Sequence, residues 1–67
     1  MIVLNGESRE LPGEQTLPAA LASLGLGPER RGLAVAVDGE VVPRRSWEGL
    51  VLAEGARVEV LTAMQGG

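Results

Sequence analysis

The residues with the most chemical reach stand at the end of the chain: Met64-Gln65-Gly66-Gly67 closes on a carboxylate behind two residues that lack Cβ. Four or five extended residues span ~13 to 18 Å, enough to thread from a small domain into a partner's active site. Two glycines keep such a thread thin and open backbone conformations closed to other residues. Activating a terminal carboxylate favours an unhindered, achiral acyl carbon, because an activated chiral residue can epimerise and a branched one obstructs the incoming nucleophile. Glycine meets both conditions. The competing reading is a frayed end, the usual state of a terminus. At a background glycine usage of ~7%, a terminal pair arises by chance in roughly 0.5% of chains.

Other chemistry is scarce. The chain has no His, no Cys and no Lys, the residues that supply most general bases and activated nucleophiles near neutral pH. Ser8, Ser23, Ser46, Thr16 and Thr62 remain, and a hydroxyl without a neighbouring base is a poor nucleophile. Glu7 with Glu10, and Glu54 with Glu59, are candidate carboxylate pairs for Mg²⁺ or glycosidic chemistry. Both lie on short, turn-flanked segments with no room for a substrate cleft, so they read as solvated surface charge. The expectation is a protein that is not an enzyme by itself and binds no metal, with its reactive group at Gly67, threaded on Gly66, Gln65 and Met64.

A partner that orders such a tail loses ~1 to 2 kcal/mol per residue and must recover it through contacts with the folded body. That argument calls for an exposed apolar patch near the tail, with Leu61 and Ala63 as the interface residues, Met64 beside them and Val51 less secure. A singly exposed leucine is common on protein surfaces, so Leu61 alone does not decide the matter.

The elements that carry this end can be read from period and punctuation. Ile2 to Leu4 alternates, Asn5-Gly6 offers a two-residue hairpin turn, and Ser8 to Leu11 returns. Thr16 can cap a helix whose Leu17, Ala20, Leu21 and Leu24 form one buried stripe, with Pro18 in the first turn, Gly25 at its end, Leu26 folding back and Pro28 preventing resumption. Leu33, Val35 and Val37 alternate with Ala34, Ala36 and Asp38; Asp38-Gly39 turns into Glu40-Val41-Val42, which Pro43 ends. Arg44 to Leu52 is less regular, anchored inward by Trp47 and Leu50. After the Glu54-Gly55 turn, Arg57 to Ala63 forms the last strand. Its Val58, Val60 and Thr62 share one face; Arg57, Glu59, Leu61 and Ala63 share the other. The expected fold is α+β, one helix across one face of a small mixed sheet, as a domain over residues 1–63 followed by a tail over 64–67.

Sixty-seven residues make one domain at most, and 45% hydrophobic against 22% charged residues is a globular composition. All six basic residues are Arg, opposed by nine Asp and Glu for a formal net charge of −3, with Trp47 the one aromatic ring. Nucleic-acid binding is therefore not expected. Neither a charged leader ahead of an apolar stretch nor a membrane-length apolar run is present, so no membrane association is expected and the cytoplasm is the expected compartment.

Val41-Val42-Pro43-Arg44 with Trp47 three residues on, then Leu52-Ala53-Glu54-Gly55-Ala56-Arg57-Val58-Glu59-Val60 and the final Gly66-Gly67, resemble the ThiS family, the sulfur carrier proteins of thiamine biosynthesis. The resemblance covers nearly the whole chain. It implies a β-grasp, ubiquitin-like fold whose first and last strands run parallel side by side. It implies that a ThiF-type adenylating enzyme uses ATP and Mg²⁺ to activate the Gly67 carboxylate. Sulfur from a cysteine desulfurase pathway then displaces AMP to leave a thiocarboxylate, and thiazole synthase receives that sulfur. Pro43, Arg44 and Trp47 match the family pattern, with Trp47 read as core and Arg44 as a surface or turn contact. Gln65 and Ala56 depart from it, and Ala56 is expected to touch only a turn. The molybdopterin synthase small subunit uses the same fold and ending; a ubiquitin-like modifier, limited by the missing lysines to single attachments, and a plain β-grasp interaction module are the other readings left open.

Overall fold

The computed structural model describes residues 1–27 and 31–62. Five strands form one mixed sheet in the order β2-β1-β5-β3-β4: β1 Ile2–Leu4, β2 Glu7–Arg9, β3 Leu33–Val37, β4 Glu40–Val42 and β5 Arg57–Thr62. The central strand β5 runs parallel to β1, with Val3 opposite Arg57 and Leu4 opposite Val58, and antiparallel to β3, from Leu33 opposite Thr62 to Val37 opposite Val58. One helix, α1 (Leu17–Ser23), covers one face. The mixed sheet under one helix is the arrangement read from the residues, and its parallel first and last strands make it the β-grasp that the family resemblance implies.

Both hairpins form at the expected dipeptides. Asn5 and Asp38 take φ of 50° and 51°, followed by Gly6 and Gly39 at 84° and 86°, the doubly positive geometry whose twist matches that of the flanking strands. The return strand β2 is shorter than the Ser8 to Leu11 run suggests; Leu11 leaves the ladder and enters the core. Pro43 ends β4 on the sheet edge, where its missing N–H interrupts no ladder.

Helix α1 has only seven residues, too few to persist without packing. Thr16 caps it, its Oγ1 accepting from the Ala19 amide at 3.2 Å. At the other end Gly25 turns at φ 77°, the Gly25 amide donates to the Ala22 carbonyl at 2.9 Å and the Leu26 amide to the Leu21 carbonyl at 2.9 Å. That pair of bonds lets Leu26 fold back against the core. Arg9 adds a cation at the same terminus, its Nη1 donating to the Ser23 carbonyl at 3.2 Å. Pro28 lies outside the described residues.

Leu17, Ala20 and Leu21 of the helix pack on Ile2, Leu4, Val35, Val58 and Val60 of the sheet. Full burial of each large aliphatic side chain contributes ~1.5 to 3 kcal/mol. The irregular stretch after Pro43 opens with a 3₁₀ turn at Arg44–Ser46 and closes the core with Trp47, Leu52 and Ala56. Leu50 is half-buried against that core. Ala56 requires a correction: it is 3% exposed and belongs to the core, because the turn at Gly55 points it inward beneath the start of β5. Trp47 is core as expected, its indole Nε1 donating to the Val42 carbonyl at 2.8 Å and its ring carrying the Arg44 guanidinium at 4.6 Å.

Candidate functional site

Strand β5 is both the centre of the sheet and the route to the chain's end. Val58 and Val60 point into the core while Glu59 and Leu61 point away from the helix, as strict alternation requires. Leu61 is 68% exposed, on the uncovered face where the sequence puts it. Its neighbours there are Ala34, which lies opposite it on β3, then Ala36 and Val41. Together with Glu59 they line a shallow hollow of about 120 Å³. Its floor is alanine and its rims are Leu61 and Val41, the latter 79% exposed.

Val41, Ala34 and Ala36 were not among the expected interface residues. The signal was present: Val41 and Val42 are adjacent in a short strand, so one of them must face away from the core, and Ala34 and Ala36 hold the outward parity of β3. Val51 is exposed as anticipated but belongs elsewhere. It bridges Thr16 and lines a second cleft with Val42, Pro43 and Leu50, which adjoins the Leu61 hollow only through Val41, a residue that lines both. Ala63, Met64, Gln65, Gly66 and Gly67 lie outside the described residues, as does the boundary drawn between residues 63 and 64.

Among the described residues the other candidate groups do not assemble into a second site. Glu54 accepts from the Met1 ammonium at 2.6 Å, which also donates to Gln15 Oε1 at 2.9 Å. Glu7 faces Arg9 at 3.7 Å. Among the described residues no cluster of three carboxylates gathers to hold a metal ion, and no helix is long and apolar enough to cross a membrane.

The ThiS family model matches residues 2–67, all but the first residue. The chain belongs to the ThiS family. Members of that family are sulfur carriers of thiamine biosynthesis. The fold superposes with a TM-score of 0.74 on the crystal structure of the thiamine biosynthesis protein ThiS from Geobacter metallireducens, at 25% identity over 98% of this chain and 97% of that one. The chain is also 32% identical over 66 residues to a thiazole synthase from Paramagnetospirillum magneticum. That match covers 98% of this chain but 20% of the longer protein, so the chain spans a fifth of that relative.

Proposed function

We propose that this chain carries sulfur as a thiocarboxylate on Gly67 and delivers it to thiazole formation. A ThiF-type partner supplies ATP and Mg²⁺. One oxygen of the Gly67 carboxylate attacks the α-phosphate, pyrophosphate leaves, and the acyl-adenylate forms. The outer sulfur of a persulfide, drawn from a cysteine desulfurase pathway, then attacks the acyl carbon and AMP leaves with the carboxylate oxygen. A thiol of the partner attacks the resulting acyl disulfide, the S–S bond breaks, and the Gly67 thiocarboxylate departs while a disulfide stays on the partner. Adenylation is needed because a carboxylate is a poor electrophile until its oxygen becomes part of a good leaving group. The carrier contributes a positioned acyl carbon; its partners contribute the chemistry.

The observation that carries this reading is the apolar hollow around Leu61 and Val41, on the uncovered side of the strand that leads into Gly66-Gly67. A partner seated there stands beside Thr62, from which five residues reach at most ~18 Å to its active site. The contact offsets the ordering of those residues. Leu61 and Val41 are the residues we assign to this docking surface, continued by Ala63, with Met64, Gln65 and Gly66 threading the channel. The likeness to part of a thiazole synthase favours that enzyme over a molybdopterin-forming one as the acceptor.

The test is intact-mass measurement of the chain after incubation with the adenylating enzyme, ATP, Mg²⁺ and a sulfur source. Exchange of oxygen for sulfur adds about 16 Da. Deleting Gly67 is expected to abolish the gain while leaving thermal unfolding unchanged, since a terminal residue adds almost nothing to the core. A gain that survives the deletion would move the chemistry elsewhere.

A further inference from the structure

Two side chains add to the main-chain ladders that hold β5: Asp38 closes both of its bonds on the single residue Arg57, and Asn5 spans from Val58 to Val60. At its start the Arg57 amide donates to Asp38 Oδ1 at 2.9 Å, and the Asp38 amide donates to the Arg57 carbonyl at 2.7 Å. Farther along, the Val60 amide donates to Asn5 Oδ1 at 2.8 Å, and the Asn5 amide donates to the Val58 carbonyl at 2.8 Å. Each gripping residue opens a two-residue hairpin turn in left-handed backbone conformation, which Asn and Asp tolerate while offering a short side-chain acceptor.

The parallel ladder between β1 and β5 ends at Leu4 opposite Val58, because β1 turns away at Asn5-Gly6. The Asn5 amide oxygen prolongs that edge of β5 to Val60, two residues before Thr62. On the other edge β3 pairs all the way to Thr62. Asn5 is what keeps β5 held on both sides almost to the point from which residues 63–67 continue.

We propose that Asn5 is a positioning residue for the carrier's reactive end, aiming the chain beyond Thr62 at the partner; this rests on the sulfur-carrier reading above. A strand held along both edges fixes where Thr62, its last residue, sits relative to the docking face. Held along one edge, it splays, the fraction of molecules presented correctly falls, and apparent affinity for the partner falls by the same fraction. The reacting carbon, once seated, is untouched, so the loss enters KM and leaves kcat alone.

Three variants isolate the grip from the turn. Asn5→Gly keeps the turn, since glycine takes positive φ freely, and removes the acceptor. Asn5→Asp keeps both, since a carboxylate oxygen can accept from the Val60 amide where the amide oxygen of Asn5 does. Asp38→Gly removes the equivalent bond at the far end of β5 and controls for stability alone. Pyrophosphate release by the adenylating enzyme, measured against carrier concentration well below the melting temperature, is expected to show KM raised about three- to ten-fold in Asn5→Gly with kcat unchanged. Asn5→Asp restores KM, and Asp38→Gly leaves it within about two-fold of the starting protein. Amide exchange at Val60 should quicken at least about five-fold in Asn5→Gly and not in Asp38→Gly. Equal KM increases in the two glycine variants, an unchanged KM in Asn5→Gly, or no rescue by Asp would overturn the assignment. Failure of the unmodified chain to release pyrophosphate is a separate result: it defeats the carrier reading and takes the positioning role with it.

Discussion

The two faces of the sheet are built from the same strands and serve opposite ends. On the covered face Ile2, Leu4, Val35, Val58 and Val60 are sealed under α1 and Trp47. On the bare face Ala34, Ala36, Val41 and Leu61 meet solvent around Glu59. Apolar side chains occur on both, so hydrophobicity alone does not distinguish the core from the uncovered face. Covering and neighbours do: inside, the helix and Trp47 close over the branched side chains of the sheet, whereas outside nothing among the described residues covers the depression that two alanines leave between larger rims.

The largest effect expected from this contrast is on stability. Leu17→Ala, at a fully buried helix position, should cost ~2 to 5 kcal/mol, since the cavity adds to the lost transfer free energy. In a chain of this size that approaches the whole of its stability. Leu61→Ala removes as many carbon atoms from the bare face and should change stability by no more than ~0.5 kcal/mol. Urea unfolding of the pair measures the difference directly, and comparable losses would mean that the uncovered face is packed in solution.

A second effect is on association, and it runs the other way. Leu61→Asp puts a carboxylate at the rim of an apolar hollow, two positions along the strand from Glu59. Affinity for the proposed adenylating partner, read by calorimetry or by KM, should fall about ten-fold or more, as for a central interface residue, while the unfolding midpoint moves little. Val41→Asp on the opposite rim is expected to do the same. An unchanged affinity in both would remove the hollow from the interface.

The division between faces was largely legible in the sequence because period two is a strict geometric rule: once Val58 and Val60 are inward, Leu61 is outward. The dipeptides Asn5-Gly6 and Asp38-Gly39 fixed both hairpins for a similar reason, since few residues accept their backbone conformation. What escaped the sequence was contact between distant segments. Ala56 reads as a turn residue next to Gly55, and only the way the turn tucks under β5 makes it core. Val51 reads as apolar and exposed, which it is, but its pairing with Thr16 carries it away from Leu61. Asn5 announces a turn; that its side chain also reaches across to Val60 depends on a register set 55 residues away.

The smallest effect lies where the two faces meet, at the β4 edge. Arg44 stacks its guanidinium over Trp47 at 4.6 Å while the indole N–H is held by the Val42 carbonyl. The cation thereby closes the rim of the core without entering it. Arg44→Ala should cost only ~0.5 to 1 kcal/mol, the scale of a surface cation–π contact, or about 2 to 8 °C in melting temperature for a domain of this size. Arg44→Lys keeps the charge and much of the stem but loses the planar stack, so it should recover part of that loss, and its shortfall measures the stacking itself. Trp47 is the single Trp in a chain without Tyr or Phe, so intrinsic fluorescence reports on this ring alone. Emission should shift to the red in Arg44→Ala as water reaches the indole face and stay in place in Leu61→Ala. A shift in the Leu61 variant would mean that the bare face and the Trp47 rim are mechanically joined, and the separation of the sheet into a stabilising side and a proposed docking side would have to be redrawn.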